Sequence, residues 1–152
     1  MKIRLLKKSE IKDATRIVGI NYSKEYQRSS TLEIKDMFGK STIRPIYYVA
    51  ENNGKIVGFA GFIQSWMDYS IYEIFWVNVH PDEQGKGIGK ALVSKIITEI
   101  KKKKNAKLIL LTADKNVNND FYYKMNFEFK TLELFSNKQH HLMSLSLEKH
   151  KN

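Results

Sequence analysis

Apolar and polar positions repeat along the chain with two periods, which together predict an order of strands and helices. Two-residue alternation or a short continuous apolar run predicts seven strands, at about 2–7, 46–51, 56–64, 71–79, 107–113, 127–134 and 141–147. Helical spacing predicts four helices, over about 9–22, 32–38, 87–103 and 117–125. This order is typical of a mixed α/β (α+β) sheet covered by helices, and it fits neither a barrel nor a doubly wound dinucleotide fold.

Local signals support several of these boundaries. Asn53-Gly54 predicts a tight hairpin between the second and third strands, because both residues tolerate positive φ. Pro81 cannot join a strand ladder, so the fourth strand is expected to end just before it. The third helix has an apolar residue at every fourth position, which predicts a buried face formed by Ile88, Leu92, Ile96 and Ile100.

Composition narrows the class of protein. The chain has 152 residues, of which 42% are hydrophobic, as expected for one domain that spans 1–152 and has one core. It contains no cysteine, which excludes disulfides, thiolate metal sites and cysteine nucleophiles. No apolar run reaches the length of a membrane span and no signal peptide is evident, so we expect a cytoplasmic protein without a membrane partner. The four histidines lack metal-ligand spacing, so no metal is expected.

The net charge of +10 favours an anionic partner, which could be nucleic acid, an anionic cofactor or an acidic membrane surface. Lysines and arginines are scattered along the chain and no nucleic-acid motif occurs, which argues against nucleic acid. The densest run, at 101–104, lies where a helix is predicted to end, and a helix dipole favours cations there.

A glycine-rich segment, Gln84-Gly85-Lys86-Gly87-Ile88-Gly89-Lys90, links the fourth strand to the third helix. Glycines let a backbone approach a phosphate closely, and the first N–H groups of a helix point outward without partners. The dinucleotide fingerprint fails because its third glycine is replaced by Lys90. The P-loop also fails, because Gly89-Lys90 is followed by Ala91 and the preceding glycine is one position too close.

Two motifs together resemble the GNAT acetyltransferase superfamily. One is Gln84-x-x-Gly87-x-Gly89 after a strand that ends in Val77-Asn78-Val79-His80-Pro81, and the other is Phe121-Tyr122-Tyr123-Lys124-Met125-Asn126-Phe127. Asn126 replaces the family's glycine, and asparagine still tolerates a left-handed helix end. The resemblance implies a GNAT-like mixed, mostly antiparallel sheet of about seven strands with about four helices, splayed between the fourth and fifth strands. It also implies acetyl-CoA as the acetyl donor.

The resemblance also assigns roles to residues. It implies that a loop binds the coenzyme A pyrophosphate through its backbone amides, the loop being Gln84, Gly85, Lys86, Gly87, Ile88, Gly89 and Lys90. It implies that the Val79 N–H polarises the thioester carbonyl and that Val77 pairs with the pantetheine arm. Tyr122 would be the general acid, with an aromatic packing residue as the alternative. The asparagine that contacts the cofactor would be Asn116, although Asn118 and Asn119 compete for this position.

Glu73 is the candidate general base. Two-residue alternation places it on the same strand face as Ile71, Phe75 and Val77, where a carboxylate is unexpected. An apolar setting would raise its pKa towards a range useful for proton abstraction. Its position also matches the base of histone-acetylating relatives. A solvated glutamate near the start of a strand is an equally open interpretation.

The predicted activity is transfer of an acetyl group from acetyl-CoA to a primary amine, by direct attack in a ternary complex. The acceptor would be a small-molecule or peptide amine, and the resemblance implies that its site is lined by the segments 22–28 and 65–69. A non-catalytic acyl-CoA-binding sensor and a basic nucleic-acid-binding module are the alternatives. Whether the protein forms a homodimer stays open.

Overall fold

The computed structural model of the chain describes residues 1–114, 120–134 and 140–148. These residues contain seven strands, which are β1 (Lys2–Leu5), β2 (Ile46–Asn52), β3 (Lys55–Gln64), β4 (Ile71–Val79), β5 (Leu108–Asp114), β6 (Glu128–Leu134) and β7 (His140–Ser146). They also contain four α-helices, which are α1 (Ile11–Asn21), α2 (Lys24–Lys35), α3 (Ile88–Lys101) and α4 (Asp120–Lys124). The predicted strand and helix order is confirmed.

All seven strands form one sheet in the order β1-β2-β3-β4-β5-β7-β6. Five neighbouring pairs are antiparallel, and β4 and β5 are parallel. The β4–β5 pairing covers only Ile71–Ile74 of β4, although this strand continues to Val79. The two strands therefore separate towards their carboxyl ends, as predicted, and a cleft opens there in the middle of the sheet.

Helices cover both faces of the sheet. On one face α3 buries the apolar stripe predicted from its sequence, and Leu92, Ile96 and Ile100 are fully enclosed. On the other face α1 and α2 pack Val18 and Ile34 against the sheet. Each such side chain contributes about 1.5–3 kcal/mol of transfer free energy when it is fully buried. The helices packed on both faces hold the strands on either side of the β4–β5 cleft in place.

The second helix differs from its prediction. It runs from Lys24 to Lys35, and only a single 3-10 turn covers 36–38, whereas helix was predicted over 32–38. The Ser23 hydroxyl accepts a hydrogen bond from the Tyr26 N–H and caps the first turn. Only Ser30 and Ile34 of this helix are buried, so its apolar periodicity is too weak to mark where it begins.

Two predicted turns have the expected backbone. Asn53 and Gly54 have φ values of 50° and 77° and join β2 to β3. Asn126 has a φ of 71° and ends α4, while the Phe127 N–H donates to the Tyr122 carbonyl at 3.0 Å. This is the hydrogen-bond pattern of a left-handed helix end, with asparagine in place of glycine. The predicted helix began at 117, and 117–119 lie outside the described residues.

Candidate functional site

The glycine loop connects β4 to α3 with two left-handed residues. Gly85 has a φ of 80° and Gly87 a φ of 81°, a region that side-chain-bearing residues rarely adopt. A Cβ atom added at either position would meet no other atom within 4 Å. Open space on this side of the loop leaves its backbone accessible to a ligand.

The N-terminus of α3 has unpaired donors. Gly87 is its N-cap and supplies no side-chain cap, and the first turn contains no acidic residue. The Ala91 N–H makes the first helical bond, to the Gly87 carbonyl at 3.0 Å. The N–H groups of the residues between them therefore point out of the helix together with the positive end of its dipole. Such an arrangement favours an anion, phosphate in particular.

Two side chains of the loop, Lys86 and Gln84, make polar contacts with neighbouring residues. The Lys86 ammonium lies 2.8 Å from the Glu83 carboxylate, so part of its charge is neutralised, while Lys90 is exposed. The Gln84 side-chain amide donates to the Val79 carbonyl at 3.0 Å and ties the loop to the end of β4. The predicted phosphate-binding segment is thus held against the strand that precedes it.

A bulge interrupts β4 beside the cleft. Two of its residues, Trp76 and Val77, stand opposite the single residue Ala60 of β3, and Trp76 has a φ of 52°. The extra residue reverses the alternation of the strand. Phe75 packs with α1 and α2, and Glu73 shares that face by alternation, whereas Val77 packs with α3. The prediction that Glu73 and Val77 share one face was therefore wrong.

The bulge brings β4 to the glycine loop and to α4. A Cβ atom on Gly89 would lie 3.7 Å from the Phe121 ring, 3.8 Å from Val79 and 3.9 Å from Val77. Gly89 therefore allows the first turn of α3 to lie close to both valines. The predicted loop and the two predicted strand residues meet at one place, at the mouth of the cleft.

The end of β4 is anchored from the α1 side. The Asn21 side-chain amide donates to the Val79 carbonyl at 3.0 Å and to the buried Asn78 side chain at 3.1 Å. The His80 N–H donates to Val57 of β3 at 2.8 Å, so alternation turns the Val79 N–H towards the opposite edge, which faces the cleft. Asn21 was missed from the sequence, because a polar residue at a helix end carries no distinctive signal.

Tyr122 lies in the core beneath the cleft, with an exposed fraction of 5%. Its ring centroid is 4.1 Å from that of Phe121 and 5.8 Å from that of Phe127. Burial raises the pKa of its hydroxyl, and the nearby Tyr22 hydroxyl raises it further. The phenol therefore keeps its proton throughout the neutral pH range. Tyr123, the next residue of the same motif, is half exposed.

Glu73 lies on β4 between Ile63 of β3 and Leu110 of β5. Its side chain is exposed, so the apolar setting expected from the sequence is absent. The carboxylate instead belongs to the face of α1 and α2, which is opposite to that of the glycine loop. Asn116, the predicted cofactor contact, lies outside the described residues, as do Asn118 and Asn119.

The two segments predicted to line the acceptor carry exposed aromatic side chains. Tyr22 and Tyr26 make an edge contact with ring centroids 6.0 Å apart, and residues 24–28 belong to α2 rather than to a loop. Although Tyr22 is 48% exposed, partial burial raises the pKa of its hydroxyl, and the Asp114 carboxylate raises it further. Asp114 is the last residue of β5, so Tyr22 lies near the end of that strand. Trp66 and Met67, in the loop after β3, are 75% and 80% exposed.

Across 1–114, 120–134 and 140–148, no three His, Asp or Glu side chains come together as metal ligands. Within the same part of the chain, no helix combines the length and apolar character needed to cross a bilayer.

The comparison with protein families identifies the class. A family model described as an acetyltransferase (GNAT) domain matches residues 44–129, more than half of the chain. The chain belongs to the GNAT acetyltransferase family. An uncharacterized N-acetyltransferase of Methanocaldococcus jannaschii is 36% identical over 92 residues, which cover 55% of this chain and 39% of that protein. The chain spans less than half of the length of the curated relatives that it matches.

Solved structures share the fold. An aminoglycoside 6′-N-acetyltransferase complexed with coenzyme A has a TM-score of 0.81 and 16% identity, with 100% of both chains covered. The structure of yncA from Salmonella typhimurium with its cofactor acetyl-CoA has a TM-score of 0.74 and 20% identity, covering 99% of this chain and 96% of that one. At these identities the likeness shows a common fold.

Proposed function

We propose that this protein is an N-acetyltransferase that moves an acetyl group from acetyl-CoA to a primary amine. The observation that carries the proposal is the uncapped N-terminus of α3. Gly85 and Gly87 lie directly before this helix, and its first turn contacts Val77 and Val79 at the β4–β5 cleft. Family membership supports it, and so do the coenzyme A and acetyl-CoA complexes of proteins with the same fold.

The residues present fit the pyrophosphate of coenzyme A. Oriented N–H groups at the start of α3 would donate to phosphate oxygens, and the open space beside Gly85 and Gly87 leaves room for close approach. Lys90 would add a positive charge, whereas Lys86 is partly neutralised by Glu83. The helix dipole contributes on the order of 1 kcal/mol and the hydrogen bonds contribute the rest.

Acetyl-CoA supplies a thioester, whose C–S bond breaks as the amine nitrogen forms a bond to the carbonyl carbon. We assign the Val79 N–H to the thioester oxygen, because strand alternation turns this donor towards the cleft and away from β3. A fixed donor at that oxygen would stabilise the charge that develops on it. Val77, on the same face, would line the pantetheine arm.

Tyr122 is proposed to interact with the leaving sulfur. Because burial raises its pKa, the phenol stays protonated and can donate a hydrogen bond, but complete proton transfer to a thiolate is less favourable than for an exposed phenol. A hydrogen bond that strengthens as charge develops on sulfur therefore suits this hydroxyl better than early proton transfer. The proton lost by the amine balances the reaction when coenzyme A leaves as a thiol.

Glu73 is proposed to accept the amine proton through water, because its carboxylate is exposed. It lies on the face of α1 and α2, whereas the glycine loop lies on the other face of the sheet. The acceptor would therefore approach from the α1–α2 side, where Tyr22 and Tyr26 are exposed, and the donor from the α3 side. This separation suits direct attack in a ternary complex.

The test is a thiol-release assay with acetyl-CoA and a panel of amines that includes polyamines, amino acids, aminoglycosides and peptide amines. We expect amine-dependent release of coenzyme A and an acetylated product detectable by mass spectrometry. Binding of acetyl-CoA without turnover on any amine would favour the sensor function. Failure of millimolar acetyl-CoA to raise the melting temperature would overturn the proposal.

A further inference from the structure

The bulge in β4 contains an unusual residue at its centre. Trp76 has a φ of 52°, in the left-handed region that large side chains rarely occupy. Tryptophan gains nothing locally from this conformation, unlike glycine or asparagine. The surrounding structure must therefore hold it there.

Contacts on the α1–α2 face supply that restraint. The Trp76 ring packs against the core of this face, and its indole N–H donates a hydrogen bond to the Glu33 carboxylate of α2. Glu33 lies 43 positions away in the chain and is otherwise exposed. The hydrogen bond thus joins the middle of β4 to a helix on the sheet surface.

The layer beneath Trp76 is closely packed. The ring centroids of Tyr47 and Phe75 are 5.7 Å apart, and a Cβ on Gly61 would come within 2.4 Å of the Tyr47 ring and 3.0 Å of the Phe75 ring. Gly61 is therefore needed for these two rings to lie under the bulge. Burial raises the pKa of the Tyr47 hydroxyl, and the carboxylates of Glu33 and Asp36 raise it further, which places all three groups in one region.

The position of the bulge determines which side chains at the end of β4 face α3 and which N–H groups face the cleft. With the extra residue in place, Val77 and Val79 face α3 and lie beside Gly89. Without it, alternation would turn both valines towards α1 and α2, and would turn their N–H groups away from the cleft.

We infer that Glu33 and Trp76 are positioning residues, whose hydrogen bond holds the β4 bulge in the register that presents Val77 and Val79 to the thioester. The expected effect on kcat rests on the proposed acetyl transfer. The expected movement of Val77 and Val79 can be measured whether or not the protein catalyses that reaction.

The first experiment is structural and uses the full chain without ligand. In ¹⁵N-labelled protein, the Trp76 indole N–H resonance is assigned by its loss in Trp76→Phe. Glu33→Ala should shift this resonance and also move the amide resonances of Val77 and Val79. Glu33→Gln retains a carbonyl acceptor and should largely restore both. Asp13→Ala, which removes an exposed carboxylate from α1, should leave all three resonances in place.

The second experiment is kinetic. Glu33→Ala should lower kcat on the order of 10- to 100-fold, because a small displacement at the reacting centre is costly. Its coenzyme A dissociation constant should change much less than kcat, because the glycine loop is untouched. Glu33→Gln should recover most of kcat, and Asp13→Ala should match the unmodified protein.

The outcomes separate the two proposals. Unchanged Val77 and Val79 resonances in Glu33→Ala would overturn the inference, whatever the enzyme does with amines. Moved resonances with unchanged kcat would also overturn it, because the bulge would then have no bearing on the reaction. If the unmodified protein acetylates no amine, the proposed function fails, while the resonances still decide whether Glu33 holds the bulge.

Discussion

Replacement of Gly87 by alanine has two expected effects, one on the stability of the left-handed turn and one on the affinity of the glycine loop for coenzyme A. Gly87 has a φ of 81°, where an L-residue costs about 1–2 kcal/mol. The new methyl group would meet no protein atom within 4 Å, so no steric clash adds to this cost. For a chain of 152 residues a loss of about 1 kcal/mol lowers the melting temperature by roughly 2–4 °C.

The same methyl group should also weaken ligand binding, and this second effect depends on where the ligand lies. It would occupy the open side of the glycine loop, where a phosphate must come within about 3 Å of the N–H groups at the start of α3. We expect the affinity for coenzyme A to fall at least about tenfold, which corresponds to about 1.4 kcal/mol.

Gly54→Ala is the matched control. Gly54 has a φ of 77° and open space around it, but it lies in the β2–β3 hairpin, away from the loop. Both variants should lose similar stability in thermal unfolding followed by circular dichroism. Only Gly87→Ala should lose affinity in calorimetric titration with coenzyme A. Equal affinities of the two variants would refute the assignment of the loop as the phosphate cradle.

Three further predictions concern single groups. Tyr122→Phe should lower kcat about tenfold or more and leave the coenzyme A dissociation constant within about twofold, because only the hydroxyl is lost; equal turnover would exclude its role at sulfur. Glu73→Gln should lower kcat/KM for the amine with little change in cofactor affinity, and unchanged kinetics would exclude Glu73 as the base. Arg4 donates to Glu10 and Glu51 at 2.7–3.1 Å and holds the pKa of Glu10 below its ordinary value of 4.5, so Arg4→Ala should cost about 1–3 kcal/mol in urea unfolding.

The last interaction has a definite pH dependence. Because the folded-state pKa of Glu10 is lowered, its contribution to stability is complete above the unfolded-state pKa and is lost as pH falls through the folded-state pKa. Unfolding measured from neutral pH to acid should therefore show a smaller loss of stability in Arg4→Ala than in the unmodified chain. Parallel losses in the two proteins would contradict the assignment.

Local signals in the sequence were sufficient to predict much of the fold. The stripe of α3, the Asn53-Gly54 hairpin and the left-handed Asn126 each depend on residues close together in the chain. The glycine loop is local in the same sense, because two glycines and a helix start are enough to expose its N–H groups. The predicted cofactor residues Val77, Val79 and Gly89 lie together in the structure, but their meeting also requires the β4 bulge, which no local signal predicts.

The features that were mispredicted depend on contacts between distant parts of the chain. The period-two pattern of β4 runs straight through the bulge, and nothing near Trp76 in the sequence reveals its positive φ. The partner that holds it, Glu33, lies on a helix whose own start was misplaced because it buries few apolar residues. Consequently, the face assigned to Glu73 relative to Val77 could not be correct without the tertiary structure.

The most direct test of the proposed cofactor site is an NMR titration of the ¹⁵N-labelled protein with acetyl-CoA. We predict saturable shifts that are largest at the amides of Gly87, Ile88, Gly89 and Lys90, with further shifts at Val79. Saturation with the main shifts elsewhere, or no shifts at millimolar acetyl-CoA, would contradict the assignment of the α3 N-terminus as the acetyl-CoA site.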